Sequence, residues 1–265
     1  MRPLEIHNPF NAPVYHEETV TTTMEISRVL AQKGAPHGTV ITADFQEAGR
    51  GRIRDRKWEM EKGSALAFTV LLRFPNSGFP AALTLRTGLA AALAIEDFAP
   101  TLSGKTLIKW PNDILLFSAN DSKQSALKAV GILAEAESNS AHIGIGVNVS
   151  QKQMPIFLRE KATSLSLASG VEYNEADRFK LLEKILLRLH DEIESFNWRE
   201  RVEARLYKKG EQVCFAKGAA DSGNIITGAL AGIGPEGELL ITPTGETGTL
   251  SFTAGELFFS PVPSP

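Results

Sequence analysis

Apolar residues recur at helical spacing in three segments of the chain, which predicts three helices. The first pattern begins at Met24, directly after three threonines, and stops near Gly34. Hydroxyl groups placed before such a pattern are typical of a helix cap, although three in a row leave hydroxyls that could also hydrogen-bond a ligand. The longer patterns occupy residues 80–98 and 175–198, and we expect the first of them to cover one face of a sheet.

Short β-prone runs separate these helical patterns. Residues 64–74 are mostly apolar, without a regular polar alternation, which is typical of a central strand. We predict that a strand at 107–110 is interrupted by Pro111-Asn112-Asp113 and then resumes. Residues 1–19 and 150–174 fit neither period and are predicted to be irregular. The predicted strands of this region are residues 38–45, 64–74, 107–110, 114–117, and a pair at 129–135 and 141–149 joined near 138–140.

The residue pattern changes at about Gly210, where short β-prone runs separated by glycines begin. Five such runs in about 50 residues favour a small separate barrel. The sequence therefore predicts two domains, residues 1–208 and 209–265. The five predicted strands are residues 212–216, 224–231, 238–242, 249–253 and 256–259.

Composition narrows the class of protein. The 265 residues are 43% hydrophobic and 22% charged, with a formal net charge of −3, so general affinity for nucleic acid is not expected. The single cysteine, Cys214, excludes an intramolecular disulfide and lies in an apolar run, where we expect it to be buried. Because no run approaches the roughly 18 apolar residues of a membrane span and the N-terminus lacks a signal pattern, we interpret the protein as cytoplasmic.

Residues 48–58 form a basic segment with four arginines, one lysine and two glycines. Such a segment fits neither a core nor a regular element, so we predict a loop. Guanidinium groups bind phosphate and carboxylate oxygens bidentately, and glycine lets the backbone approach a ligand. The segment is therefore either an anion clamp or a solvated basic turn, and it does not decide between them.

Polar residues and glycines mark two further places. Lys109, Asn112 and Asp113 cluster at the predicted strand interruption, where they can face a pocket. Three glycines lie inside the strands that follow, and glycine within a strand indicates a bulge or a ligand against the backbone. These glycines are Gly131, Gly144 and Gly146.

Across roughly residues 20–150, the order and spacing of four motifs resemble the biotin protein ligases. The matching segments are Gln46 with Ala48-Gly49-Arg50-Gly51-Arg52 and Arg56-Lys57-Trp58, then Lys109-Trp110-Pro111-Asn112-Asp113, then Lys128 with Gly131-Ile132-Leu133 and Glu135, and finally Gly144-Ile145-Gly146-Val147-Asn148. The resemblance implies an α+β fold in which helices cover a mixed sheet, as in class II synthetases, followed by a C-terminal SH3-like barrel.

The resemblance also implies a two-step reaction with ATP, biotin and Mg²⁺. Biotin carboxylate attacks the α-phosphate of ATP to give biotinyl-5′-AMP, and a lysine of a biotin carboxyl carrier protein then takes the biotinyl group. Cations must screen the two anions that meet in the first step. The implied catalytic residues are Lys128, Arg52, Lys109 and Asp113, with Asp113 also a metal ligand beside Asn112.

The resemblance assigns the remaining site residues to biotin and ATP. Trp58 is expected to pack on adenine and Asn148 to hydrogen-bond it, whereas Trp110 is expected only to pack in the core. The other implied binding residues are Thr22, Thr23, Gln46, Gly49, Arg50, Gly51, Arg56, Gly131, Gly144 and Gly146.

Two departures from the family pattern bear on function. Thr22-Thr23-Met24 stands where the family often has Ser-Thr-Asn, and only about 20 residues precede the ligase core, so we expect no winged-helix domain and no role in gene repression. A lipoate ligase or octanoyltransferase, and an RNA-binding module built on the basic loop, stay as alternatives. The sequence does not decide whether the protein is a homodimer.

Overall fold

The computed structural model describes residues 1–52, 58, 60–75, 78–117, 126–217 and 225–259. An eight-stranded mixed sheet forms the larger part, with five helices around it and a second sheet of five strands near the C-terminus. The strands of the large sheet are β1 (Arg2–Pro3), β2 (Val14–Val20), β3 (Thr39–Gln46), β4 (Ala65–Arg73), β5 (Thr106–Lys109), β6 (Asp113–Phe117), β7 (Ala126–Glu137) and β8 (Ser140–Asn148). The helices are α1 (Thr23–Gln32), α2 (Leu83–Phe98), α3 (Leu165–Ser169), α4 (Glu175–Ile193) and α5 (Trp198–Glu203).

The large sheet has the strand order β1-β2-β3-β4-β8-β7-β6-β5. Strands β2 and β3 run parallel, and all the other neighbours are antiparallel. In β4 every residue from Ala65 to Leu72 is buried, as expected of a strand covered on both faces. The predicted pairing of β7 with β8 is confirmed.

The two faces of the large sheet have different covers. On one face α2 and α4 pack over the apolar core, and Gly88 of α2 approaches the side chains of Ile114 and Ile132. The other face is covered in part by α1, whose Met24 lies against Gly144 of β8. Because successive residues of a strand point to opposite faces, one face of β7 and β8 is core and the other is left for a site.

A buried ionic cluster joins the first strands to α4. Asp44 of β3 accepts hydrogen bonds from His16 at 2.9 Å and from Arg178 at 3.0 Å, and Arg178 is among the largest fully buried side chains. Burial alone would raise the pKa of Asp44, but these bonds outweigh it and hold that pKa below its ordinary value of 3.8. The cluster therefore stabilises the fold above about pH 3.8, and this contribution is lost as the pH falls through the lowered pKa.

The C-terminal sheet is antiparallel in the order β12-β11-β10-β9-β13. All five predicted strands of this region are present, while closure into an SH3-like barrel and the domain boundary near residue 208 stay predictions. Trp110 joins the two sheets, because its Nε1 donates to the carbonyl of Gly237 at 3.0 Å and its ring lies 6.1 Å from that of Phe215. The five strands are β9 (Gln212–Ala216), β10 (Ile225–Ile233), β11 (Leu239–Pro243), β12 (Leu250–Phe252) and β13 (Glu256–Phe258).

The predicted strand interruption at 107–117 is wrong. Instead of resuming in the same direction, the chain reverses, and Lys109 of β5 pairs directly with Asp113 of β6. The three residues between them form the turn. The sequence did not distinguish a turn between two strands from an interruption of one strand, because the runs before and after it are equally apolar.

Three further predictions on secondary structure need correction. Residues 1–19 contain β1 and β2, which are held by pairing to β3 rather than by a clear apolar alternation. Residues 150–174 contain the short helix α3, which is capped by Ser164. The predicted helix at 175–198 ends at Ile193, and Phe196, which lies beyond that end, is fully exposed. None of the helices in the described part of the chain has both the length and the apolar character to span a membrane.

The buried cluster gives a test of the fold. Arg178→Met should lower the free energy of unfolding by about 3–5 kcal/mol, because it leaves the Asp44 carboxylate buried without its cation. Arg188 on the same helix pairs with Asp97 at the surface, so Arg188→Met should cost less than about 1 kcal/mol. Urea denaturation of both variants measures the difference, and equal losses would contradict a special role for the cluster.

Candidate active site

A cavity of about 810 Å³ lies on the α1 face of the large sheet and reaches the C-terminal sheet. Almost every residue that the sequence predicted for a site contributes to its wall. Gly49 lies just outside, against Trp58 and Gln46, and Arg56 lies outside the described residues. The predicted residues on the wall are Thr22, Thr23, Gln46, Arg50, Gly51, Arg52, Trp58, Lys109, Asn112, Asp113, Lys128, Gly131, Gly144, Gly146 and Asn148.

The strand glycines admit large side chains to the sheet. Gly131 of β7 pairs with Gly146 of β8, and the indole of Trp58 lies against both. A Cβ atom at Gly146 would stand 2.5 Å from the Trp58 ring, which no real contact allows. Gly144 serves Met24 in the same way, with a Cβ position 2.9 Å from its sulfur. The sequence predicted a bulge or a ligand against this backbone. In the structure, the side chains of Trp58 and Met24 occupy the space beside these glycines.

A β-bulge places Lys128 on the cavity face. Ile114 of β6 pairs with Val130, whereas the next residue, Leu115, pairs with Lys128, so Ala129 is the extra residue of β7. With regular pairing, strict alternation would turn Lys128 to the core face, away from Gly131. Because of the bulge, a Cβ atom at Gly131 would stand 3.1 Å from Lys128 Nζ.

Lys128 meets a carboxylate across the β6–β7 pair. Its Nζ lies 2.6 Å from Asp113 Oδ1, and it also lies 6.0 Å from the centre of the Trp58 ring. The Asp113 oxygen has no aligned hydrogen bond among the described residues, so the contact is an ion pair without a directed bond. The arrangement holds a cation and an anion side by side at the cavity wall, where each can exchange its partner for a ligand.

Asn112 is fastened to β7. Its Nδ2 donates to the carbonyl of Ile132 at 2.8 Å, and its own carbonyl accepts from the Ile132 amide at 2.9 Å. These two bonds fix the turn that carries Asp113. The amide oxygen of the Asn112 side chain is the group left to act toward a ligand.

Hydroxyl and amide groups line the end of the cavity at the start of α1. Thr22 caps the helix by accepting from the Glu25 amide at 3.1 Å, which confirms the predicted cap. Gln46 Oε1 accepts from the amide and the hydroxyl of Thr23, and Thr69 donates to the same hydroxyl at 2.8 Å. Because its oxygen is used in this way, Gln46 keeps Nε2 as a donor for other groups.

The two arginines of the basic loop that the structure describes, Arg50 and Arg52, are held by oxygen atoms of other segments. Arg50 lies 3.2 Å from the Glu135 carboxylate, which also pairs with Arg28. Arg52 donates to the carbonyl of Gly255, directly before β13, at 2.9 Å. Arg50 and Arg52 therefore line the cavity and contact two different segments of the chain, unlike the arginines of a solvated basic turn.

Asn148 is buried at the far side of the cavity and is fixed by two bonds. Its Nδ2 donates to the carbonyl of Thr163 at 3.0 Å, and its oxygen accepts from Gln151 at 3.2 Å. One amide hydrogen is still available to a ligand.

The C-terminal sheet supplies a wall that the sequence did not reveal. Residues 256–259 and Tyr207 line the cavity, and Lys109 Nζ lies 5.2 Å from the centre of the Phe259 ring. A cation over an aromatic face is attracted by the ring quadrupole. These residues are more than 50 positions from the predicted motifs and resemble ordinary barrel residues, so no local signal identified them.

A buried serine–histidine pair lies between α1 and β8. Ser27 and His142 are 2.8 Å apart and both are fully buried, and burial lowers the pKa of His142 below its ordinary value of 6.5. Neither side chain reaches the cavity, so the pair joins α1 to β8 and is not a nucleophile with its base.

No group of three or more His, Cys, Asp or Glu residues with metal-binding geometry is present in the part of the chain that the structure describes. Asp113 and the side-chain oxygen of Asn112 are the hard oxygen donors on this side of the cavity. Mg²⁺ is commonly held by one or two protein carboxylates together with substrate phosphates, so this small donor set fits an ion that enters with a nucleotide.

Comparison with known proteins agrees with the site. A family model described as the Biotin/lipoate A/B protein ligase family matches residues 17–150. The Bifunctional ligase/repressor BirA of Bacillus spizizenii is 37% identical over 180 residues, which are 65% of this chain and 51% of that protein. A Biotin--[acetyl-CoA-carboxylase] ligase of Paracoccus denitrificans is 30% identical over 233 residues, which are 83% of this chain and 89% of that protein. The chain spans about half the length of the Bacillus relatives it matches.

Solved structures give the same fold. The biotin protein ligase from Aquifex aeolicus in complex with biotin and ATP matches with a TM-score of 0.73 at 28% sequence identity. The match covers 92% of this chain and 97% of that one. It confirms the predicted fold class, a mixed sheet covered by helices with a smaller antiparallel sheet at the C-terminus.

The contact of Trp58 with the strand glycines can be tested directly. Gly146→Ala should displace the indole and increase acrylamide quenching of tryptophan emission, because Trp110 and Trp198 are both buried and change little. Gly248 has open space around it, so Gly248→Ala is the matched control and should leave quenching unchanged. Unchanged quenching in Gly146→Ala would show that Trp58 does not rest on this strand in solution.

Proposed function

The chain belongs to the biotin/lipoate A/B protein ligase family, and on this premise we propose that it is an ATP-dependent biotin protein ligase. In this proposal it activates biotin as biotinyl-5′-AMP and transfers the biotinyl group to a lysine of a biotin carboxyl carrier domain. The observation that carries the proposal is that the four spaced motifs meet in one cavity, with Lys128, Asp113 and the arginine loop at its wall.

In the first step an oxygen of the biotin carboxylate attacks the α-phosphorus of ATP, and the bond from that phosphorus to pyrophosphate breaks. Carboxylate and triphosphate repel each other, so the step needs cations fixed beforehand. Lys128 serves the carboxylate and the α-phosphate, while Lys109 and Arg52 serve the phosphates. Charge-assisted hydrogen bonds are worth about 1.5–3 kcal/mol each, so two or three offset much of the repulsion.

In the second step the lysine amine of the carrier attacks the carbonyl carbon of the adenylate. A carbon–nitrogen bond forms, the bond to the phosphate oxygen breaks, AMP leaves, and the amine loses a proton. Asp113 lies beside Lys128 and is the carboxylate placed to orient the incoming amine. Water must be kept from the adenylate in the meantime, and Arg50, Gly51, Arg52 and Trp58 of the arginine loop are the residues that serve this purpose at the cavity wall.

The two ends of the cavity suit the two substrates. At the start of α1 the hydroxyls of Thr22 and Thr23 and the Gln46 amide supply donors and acceptors for the ureido ring of biotin, with Arg50 nearby. Trp58 has a buried indole N–H without a partner among the described residues, and together with Asn148 it suits a nitrogen-rich base such as adenine.

Asp113 and Asn112 would hold Mg²⁺ that enters with ATP. The bound ion would neutralise negative charge on the phosphates. A carrier domain as the protein partner follows from the proposed reaction, and a cytoplasmic location follows from its need for ATP. A homodimer, and the lack of nucleic-acid and membrane partners, stay predictions.

The direct test of the proposed function is pyrophosphate release from ATP when biotin is added to the purified chain, followed by mass spectrometry of a carrier domain. We expect release with biotin and a mass increase of one biotinyl group on the carrier. Lipoic acid in place of biotin tests the alternative within the family. Release with lipoic acid and none with biotin would overturn the assignment to biotin.

Lys128→Ala should lower biotin-dependent pyrophosphate release at least about 100-fold, because it removes a fixed cation from the reacting anions. The free energy of unfolding should change by less than about 1 kcal/mol, since Lys128 is partly exposed. Lys62→Ala is the matched control, because Lys62 forms an exposed pair with Glu18 and does not line the cavity. Near-normal pyrophosphate release by Lys128→Ala would assign the role to another residue.

Arg52→Gly should increase the rate at which biotinyl-5′-AMP leaves the enzyme by about 10-fold or more, the equivalent of one charge-assisted hydrogen bond. Arg52→Lys retains the charge but loses the planar fork, so it should be intermediate. Filter retention of radiolabelled adenylate measures both rates. Equal retention in wild type and Arg52→Gly would exclude Arg52 from holding the loop over the ligand.

A further inference from the structure

A short apolar turn stands exposed at the mouth of the cavity. Ile156 is 80% exposed and Phe157 is 58% exposed, and the two are consecutive in the 3₁₀ turn Ile156–Leu158. Phe157 and Leu158 also line the cavity, whereas Ile156 does not. Ile156 therefore fills neither the core nor the cavity, and its apolar side chain faces outward beside the entrance.

This turn is fixed to the backbone of Lys128. The amide of Lys128 donates to the carbonyl of Lys161 at 3.0 Å, and its carbonyl accepts from the Thr163 amide at 2.9 Å. At the other end of the segment Met154 is buried and lines the cavity wall. We call residues 152–161 the entrance segment. A molecule that rests on it is held next to the strand that carries Lys128.

The entrance segment is also basic. It carries Lys152, Arg159 and Lys161 together with one carboxylate, Glu160, and all four residues are exposed. Lys152 pairs with Glu172 outside the segment, which leaves Arg159 and Lys161 against Glu160. On a chain whose net charge is −3, this is a local positive surface around an exposed apolar pair. Apolar contact in the centre of an interface with charged groups at its edge is the usual anatomy of a protein docking surface.

We propose that the entrance segment, with Ile156 at its centre, is the docking surface for the acceptor protein. The inference rests on the proposed function, because that reaction requires the lysine of a folded domain to reach the cavity from outside. Charge complementarity and the exposed apolar pair indicate a partner that presents apolar and acidic side chains around its lysine. The segment serves the second step only, in which the lysine nitrogen bonds to the acyl carbon and AMP leaves.

The test separates the two steps with the full-length chain. The first assay measures turnover of ATP and biotin with hydroxylamine, a small nucleophile that discharges the adenylate without any docking. The second measures biotin transfer to a purified carrier domain. We expect Ile156→Ser to raise KM for the carrier about 10-fold and to leave hydroxylamine turnover unchanged. Ile156→Leu should restore transfer, and increasing salt should raise KM for the carrier in the wild type.

Phe196→Ser is the matched control, because Phe196 is fully exposed and lies outside the cavity wall. It should alter neither assay. Unchanged carrier KM in Ile156→Ser would overturn the docking surface. Reduced hydroxylamine turnover in Ile156→Ser would overturn it too, because the residue would then cover the adenylate. Wild-type chain that releases no pyrophosphate with biotin would overturn the proposed function itself, a result distinct from both.

Discussion

The cavity depends on one irregularity in the backbone, the bulge at Ala129. Regular pairing of β6 with β7 would set Lys128 opposite Leu116, on the face that packs under α2, and a cation there would be buried in an apolar core. The extra residue turns Lys128 to the face of Gly131 and Asp113 instead. A single added residue therefore decides whether the large sheet presents a charged wall or an apolar one, and everything on that wall is arranged around it.

The glycines of β7 and β8 make a second contribution that acts through shape. Gly131 and Gly146 let the Trp58 indole lie on the sheet, and this draws the end of the arginine loop down to the strands. The other side of the cavity is closed by the C-terminal sheet, which Trp110 fastens through Gly237. The cations consequently sit between two rigid sheets, where fewer water molecules screen them than at an open surface.

The sequence predicted more of the site residues than of the strands and turns that position them. The order and spacing of four motifs, taken with the resemblance to the biotin protein ligases, predicted that Lys128, Asp113 and the strand glycines belong to one site, although no local pattern marks Lys128 by itself. The reversal at residues 110–112 was missed because both flanking runs are apolar. Strand β2 was missed because it pairs in parallel with β3, which follows only after α1 in the sequence. The wall at residues 256–259 was missed because contacts across more than 100 residues leave no local signal. Periodicity reports on faces and elements, and it says nothing about which faces meet.

The cations of the site differ in how firmly they are held, and this sets how they can respond to an anion. Arg50 is paired with the Glu135 carboxylate, whereas Arg52 donates to the neutral carbonyl of Gly255. A hydrogen bond between a cation and a carboxylate is stronger than one to an uncharged acceptor, so an arriving anion displaces the partner of Arg52 at lower cost. Arg50 is thus placed before a ligand binds, and Arg52 is the cation that can follow the ligand.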